Sequence, residues 1–255
     1  MAAILMVGGV VDAAVAQQPQ PKVVIVVGPT DGRTAEYKNI GDSIATKARR
    51  FGAEVIKIYS PDATWTRVKA AAQGANLFVY LGHGNGYPSP YGAFQPYTKD
   101  GLGLNRSKGN GDSNTEYFGE FYIKRDLHLA PGAVVLLMRL CYAAGNSEGT
   151  APTPDLSTAR RRVDNYGAGF LRAGAKAVFA EIIGNAGYVL NGLFRTQKTM
   201  REIFWDSPEA TGKFRQSIAP NRSPDWASGL LDPFRPKYYY RSIIGDLDYT
   251  ASAWR

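Results

Sequence analysis

The chain has 255 residues, of which 44% are hydrophobic and 20% charged, which supports a packed core and excludes a disordered chain. The net charge is +8, yet outside Arg160-Arg161-Arg162 the basic residues are dispersed and no basic-aromatic nucleic-acid motif is present. The charge therefore points to a general surface role and not to nucleic acid, while an anionic cell-surface polymer stays among the partners it admits.

Residues 1–16 are apolar and small, and Ala14-Val15-Ala16 precedes Gln17-Gln18-Pro19-Gln20-Pro21. Ala-x-Ala before a polar, proline-containing stretch has the form of a signal-peptide cleavage site, although the basic n-region is missing and Asp12 interrupts the apolar run. The expectation is a signal peptide and short linker over residues 1–20, export to a secreted, cell-surface or periplasmic location, and one α/β domain over 21–255. No later run reaches the roughly 18 apolar residues of a membrane span. With one cysteine there is no internal disulfide, and a leftover thiol in an exported protein is either reactive or buried.

Val23 to Val27 is a β-branched run stopped by Gly28-Pro29, which predicts a central strand. Ile40, Ile44, Ala48 and Phe51 have helical spacing, so a helix is expected over Thr34 to Phe51, with Gly52 ending it. A second strand follows over Ala53 to Tyr59, then a helix over Ala63 to Gln73, then the apolar run Leu77-Phe78-Val79-Tyr80-Leu81 that leads into Gly82-His83-Gly84. This β-α-β-α-β order predicts parallel strands with right-handed crossovers. Residues 84–130 are rich in Gly, Asn, Tyr and Pro and are too long for an ordinary connection, which predicts an insertion or lid. A fourth strand, Ala133 to Leu140, runs into Cys141. A helix over Leu156 to Arg172, a fifth strand over Ala175 to Ala180 and a helix over Tyr188 to Trp205 complete the pattern. From about residue 206 the chain is aromatic- and Pro-rich, with a last strand expected over Tyr238 to Ile244.

His83 and Cys141 thus end the third and fourth strands, which are expected to be neighbours, and in open α/β sheets ligands collect beyond the carboxyl ends of the strands. An imidazole that takes the thiol proton, leaving the thiolate to attack, is the minimum for nucleophilic catalysis. Taken singly, a lone cysteine is usually a small buried hydrophobe, and a histidine between glycines is often a turn residue. The catalytic reading rests on their joint placement. His128, the other histidine, precedes the fourth strand and falls at the opposite edge, where it reads as structural.

The segments Phe78-Val79-Tyr80-Leu81-Gly82-His83-Gly84 and Val134-Val135-Leu136-Leu137-Met138-Arg139-Leu140-Cys141 resemble those of the caspase-haemoglobinase fold of cysteine peptidases: caspases, metacaspases, legumains, gingipains and clostripain. The resemblance implies a caspase-like three-layer α/β/α sandwich around a mostly parallel sheet of about six strands. It implies a cysteine endopeptidase acting on protein or peptide, with Cys141 as nucleophile, His83 as base and then acid, and the N–H groups of Gly84 and Cys141 as oxyanion hole. A catalytically inert surface-binding or scaffolding module of the same fold is the alternative. Where metacaspases carry Asp and caspases Gln, two before the cysteine, this chain has Arg139, and Arg33 follows the first strand. Two guanidiniums near the primary pocket suit a carboxylate, so an acidic residue before the scissile bond is expected. The other reading of Arg139 is a pair with a local acid such as Asp164 or Glu181. Asn146 is expected as a cleft-side polar group that binds substrate.

No cofactor or metal is expected. Gly28-Pro29-Thr30-Asp31-Gly32 lacks both nucleotide-binding signatures, and Asp100, Asn105, Asn110, Asp112 and Asn114 do not have EF-hand spacing. Tyr87, Tyr91, Phe94, Tyr97 and Tyr238 to Tyr240 serve either as packing or as walls of a substrate groove.

Overall fold

The computed structural model describes residues 20–109, 111–149, 151–184 and 187–255. The signal peptide and short linker expected over residues 1–20 lie, but for the last residue, outside the described residues.

An eight-stranded sheet forms the centre. Its parallel part comprises β1 (Lys22–Val27), β2 (Glu54–Tyr59), β3 (Leu77–Leu81), β6 (Ala133–Met138) and β7 (Ala175–Glu181), in the spatial order β2-β1-β3-β6-β7. β10 (Arg241–Gly245) adds antiparallel to β7, and β9 (Ser228–Leu231) and β8 (Gln216–Ile218) continue in the same sense. The sheet exceeds the expected six strands because β8 and β9 fall within the stretch read only as Pro- and aromatic-rich. Short strands such as Ser228-Gly229-Leu230-Leu231 carry no alternation of their own and are specified by their partners.

The β1, β3 and β6 side chains are buried on both faces, as parallel strands require. Val24, Val26, Phe78, Tyr80, Val135 and Leu137 face α2 (Trp65–Ala72), α3 (Glu120–Asp126) and α4 (Leu156–Arg172). Ile25, Val79, Leu136 and their alternates face α1 (Thr34–Arg50), α5 (Gly187–Arg195), α6 (Met200–Trp205) and α7 (Ala251–Trp254). Helices therefore cover both faces. Each fully buried Val, Leu or Ile of these layers contributes about 1.5–3 kcal/mol.

The helix expected over Tyr188 to Trp205 is two helices. Thr199 caps α6, its hydroxyl accepting from the Glu202 N–H while the Glu202 carboxylate accepts from the Thr199 N–H, and this capping box starts a new helix where the periodicity ran on. The expected insertion contains the hairpin β4 (Leu102–Asn105) and β5 (Thr115–Phe118), followed by α3. The hairpin is fastened beside the end of β3. The buried Tyr80 hydroxyl lies 2.7 Å from the Gly103 carbonyl and 3.0 Å from that of His83, and accepts from the Gly103 N–H at 3.0 Å. Arg222 anchors the insertion's other side, bonding the buried Glu120 carboxylate and lying 3.8 Å from that of Asp100.

Candidate active site

Register brings the two motifs together. Leu81 pairs with Met138 in the β3–β6 ladder, so His83 and Cys141 follow adjacent strand ends by two and three residues. The main chains then touch. A Cβ built on Gly84 would lie 2.3 Å from the Cys141 carbonyl oxygen and 3.2 Å from its nitrogen, so only glycine allows this approach. His83 and Cys141 line one cleft of about 420 Å³, together with Arg33, Tyr37, Arg139 and Asn146. No hydrogen bond joins the thiol to the imidazole across it; the cleft is open between them.

The imidazole has a partner that sequence reading did not name. Asp31 Oδ2 lies 3.0 Å from His83 Nε2. Asp31 sits in the turn between β1 and α1 with φ +46°, a left-handed conformation that aspartate tolerates, and Gly32 follows with φ +94°. The turn is clamped from the insertion. Asp112 Oδ2 accepts from the Gly32 N–H at 3.2 Å, and its Oδ1 accepts from the Thr34 hydroxyl. An Nε2–H that donates to Asp31 leaves Nδ1 as the basic nitrogen. The signal available in the sequence was that Asp31 follows β1, the strand beside β3. That signal becomes readable only once the spatial order β2-β1-β3 is known.

If His83 serves as the base of a hydrolysing cysteine, Asp31→Asn is expected to lower kcat/KM by about 10²-fold with KM little changed. A buried orienting carboxylate is worth about 10⁴, and exposure reduces that; the Asp31 side chain is 64% exposed. Steady-state kinetics on a fluorogenic peptide checks it.

Burial pushes the Cys141 thiol up to about 11, the nearby Glu148 carboxylate adds to this, and the Gly149 N–H pulls the other way. At neutral pH the resting cysteine is a thiol and not a stored thiolate. Any attack by it must shed its proton as it proceeds, which is the task of a neighbouring base. The backbone around Cys141 is strained on both sides: Arg139 has φ +64° and Tyr142 φ +71°, conformations that cost such residues about 1–3 kcal/mol each. The strained turn lifts Cys141 out of the β6 line, partly exposed, while Leu140 and Tyr142 on either side stay buried. Neither the Gly84 nor the Cys141 N–H has a hydrogen-bond acceptor among the described residues.

Arg139 does not pair with either acid considered for it. The Asp164 carboxylate accepts from the N–H groups of Asn221, Arg222 and Ser223, and Glu181 bonds Arg241 and Tyr188. Arg139 Nη1 donates to the Ile182 carbonyl at 2.6 Å and Nη2 to that of Gly184 at 3.3 Å, while its buried Nε has no partner. Carbonyls orient the Arg139 guanidinium without cancelling its charge, and Glu36 lines the same cleft. Arg33 also lines the cleft but reaches Glu36 at 3.3 Å, an exposed pair worth little. Asn146 donates to the Ser147 carbonyl at 3.0 Å, and its Oδ1 is buried without a donor. His128 bonds Gln73 at the amino end of β6, away from the cleft.

Chemically, the cleft combines a thiol, an imidazole with a carboxylate behind it and the guanidiniums of Arg33 and Arg139 beside Glu36, with the Gly84 main chain packed against Cys141. No family model and no curated protein matches this chain.

Proposed function

We propose that the chain is an exported cysteine endopeptidase of the caspase-haemoglobinase kind, using Cys141 as nucleophile and His83 as base. The observation that carries this reading is the shared cleft of His83 and Cys141 past adjacent parallel strand ends, with the Gly84 main chain against Cys141. In the proposed reaction Cys141 Sγ bonds to the scissile carbonyl carbon as its proton passes to His83 Nδ1. The carbonyl oxygen, now negative, takes hydrogen bonds from the Gly84 and Cys141 N–H groups; one such donor is typically worth about 10²–10³ in rate. His83 returns the proton to the departing amine as the C–N bond breaks, leaving a thioester. Water, deprotonated by His83, then cleaves the thioester to release the acid and restore the thiol.

Arg139 supports a preference for an acidic residue before the scissile bond, since it lines the cleft and its guanidinium is bonded by carbonyls and not by a carboxylate. A panel of fluorogenic peptides varied at that residue is expected to show cleavage after Asp or Glu at least about tenfold faster than after Lys or Arg, the worth of one charge-assisted pair. Cleavage after Lys or Arg alone would overturn the preference.

One observation favours the inert alternative: the resting thiol is held protonated and makes no bond to His83. Labelling by a peptide chloromethyl ketone separates the two readings. The peptidase is labelled at Cys141 in the native chain; an inert module is labelled no faster than the unfolded chain.

A further inference from the structure

The cleft does not end at Cys141. Asn146, Ser147, Gly149 and Ile182 line it, and the same four residues line a second cavity of about 210 Å³ whose far wall is Tyr238, Tyr239 and Tyr240. The two form one trough. The second cavity is smaller than the about 300–1,000 Å³ of small-molecule sites and suits a single side chain.

Its far wall is built. Tyr238 and Tyr240 stack with centroids 6.3 Å apart at 29°, and Phe234 meets both edge-on at 6.4 and 6.0 Å. The turn that presents them is closed by Phe234 N–H to the Tyr238 carbonyl and Tyr238 N–H to the Arg235 carbonyl, with Lys237 held at φ +64°. Phe234 stays 57% and Tyr238 44% exposed, although the neighbouring Tyr239 and Tyr240 are buried. An aromatic surface kept in solvent at the end of a trough has the character of a recognition site. Asn146 lines both cavities, and its buried Oδ1 has no donor among the described residues, an acceptor that is costly to leave unmet.

We infer that the Tyr238–Tyr240 turn is a specificity subsite for an aromatic side chain of an extended peptide that runs along the trough past Asn146 to Cys141. Charge selects among side chains. The Arg235 guanidinium lies 5.3 Å from the Tyr238 ring centroid and Lys237 lines the cavity, so a basic substrate residue is repelled. An aromatic ring gains offset or edge contacts with the exposed Tyr238. The inference rests on the peptidase reading for the link to cleavage, and on the trough alone for binding.

The test uses fluorescently labelled alanine–serine heptapeptides with one Asp fixed at the centre, in which one Phe is moved through the other positions, bound to the Cys141→Ala chain and followed by anisotropy. One placement is expected to bind about tenfold tighter than the Phe-free peptide. Tyr238→Ala in the same background brings that peptide down to the Phe-free level, and Tyr238→Phe keeps the preference. Equal affinities at every placement, a preference that survives Tyr238→Ala, or a greater gain from Glu than from Phe would overturn the subsite. Hydrolysis of the same peptides by the native chain separates the two readings. Cleavage without any Phe preference sinks the subsite and leaves the peptidase standing. A Tyr238-dependent preference in binding, with no cleavage and no ketone labelling, does the reverse.

Discussion

On the proposed peptidase reading, Cys141→Ala is expected to abolish both peptide hydrolysis and ketone labelling, and His83→Ala to lower kcat/KM by about 10³-fold or more. Groups that act as a unit fail together, and losing either partner of a nucleophile–base pair costs nearly the whole of their joint contribution. The electrostatics of the cleft explain why His83 matters so much here. With the thiol pushed up to about 11 by burial and then by Glu148, almost none of Cys141 is thiolate at pH 7, so there is no preformed nucleophile to survive the loss of the base. The same fact predicts how Cys141 reacts with a small alkylating agent, where no positioned base is required. The rate with iodoacetamide should still be climbing at pH 9.5 and not level off near the ordinary thiol value of 9.0. Glu148→Gln removes the carboxylate that raises the thiol and should shift the curve to lower pH. A plateau below pH 9 in the native chain would show a stored thiolate. Equal ketone labelling of the native chain and of His83→Ala would show that the imidazole does not activate the thiol.

Arg241→Ala is expected to destabilise the fold by about 3–5 kcal/mol at pH 8, the cost of stranding a buried partner. Arg241 is fully buried in β10, its Nε 3.2 Å from Glu181 Oε1 and its Nη1 2.8 Å from Asp232 Oδ2, and it also bonds the Phe204 carbonyl. Asp232 would remain supported by the Thr211 and Gly212 N–H groups. Glu181 would keep only the Tyr188 hydroxyl. Burial holds the Glu181 carboxyl up at about 7 against the pull of Arg241, above its ordinary 4.5. A carboxyl raised on folding contributes stability that is complete below about pH 4.5 and is lost as pH rises through about 7. Removing the cation raises Glu181 further, so the deficit of Arg241→Ala should be larger at pH 8 than at pH 5, where the carboxyl is protonated and needs no counter-ion. Urea midpoints at the two pH values check both size and sign; a deficit independent of pH would mean that stranded charge is not its source. Glu181 ends β7, and its carbonyl accepts from the Arg139 N–H at 2.8 Å, so this buried network also braces the cleft wall.

The parallel half of the fold was readable because each element carries its own pattern. Val23 to Val27, Leu77 to Leu81 and Ala133 to Met138 are apolar on both faces, and Leu156 to Arg172 begins with Asp155 accepting from the Thr158 N–H, as a helix start should. Of the antiparallel half only β10 was readable, because Ser228 to Leu231 is a strand through its pairing with β10 and Gln216-Ser217-Ile218 through its pairing with β9. His83 and Cys141 could be placed from strand counting. Asp31 could not, since its turn reaches His83 only through a strand order that departs from chain order. Arg139 was expected at the cleft on its spacing from Cys141. Its tether to the Ile182 and Gly184 carbonyls depends on where the chain goes after β7, which no local pattern records.

The sheet's two outer strands bear on assembly. One margin is β8, three residues long, and the other is β2, which carries Glu54 and Lys57 within its six residues. A second copy docking strand to strand would find too short a ladder on one side and fixed charges on the other, two devices by which sheets resist side-by-side polymerisation. Both margins of the described sheet therefore disfavour edge-to-edge joining of copies.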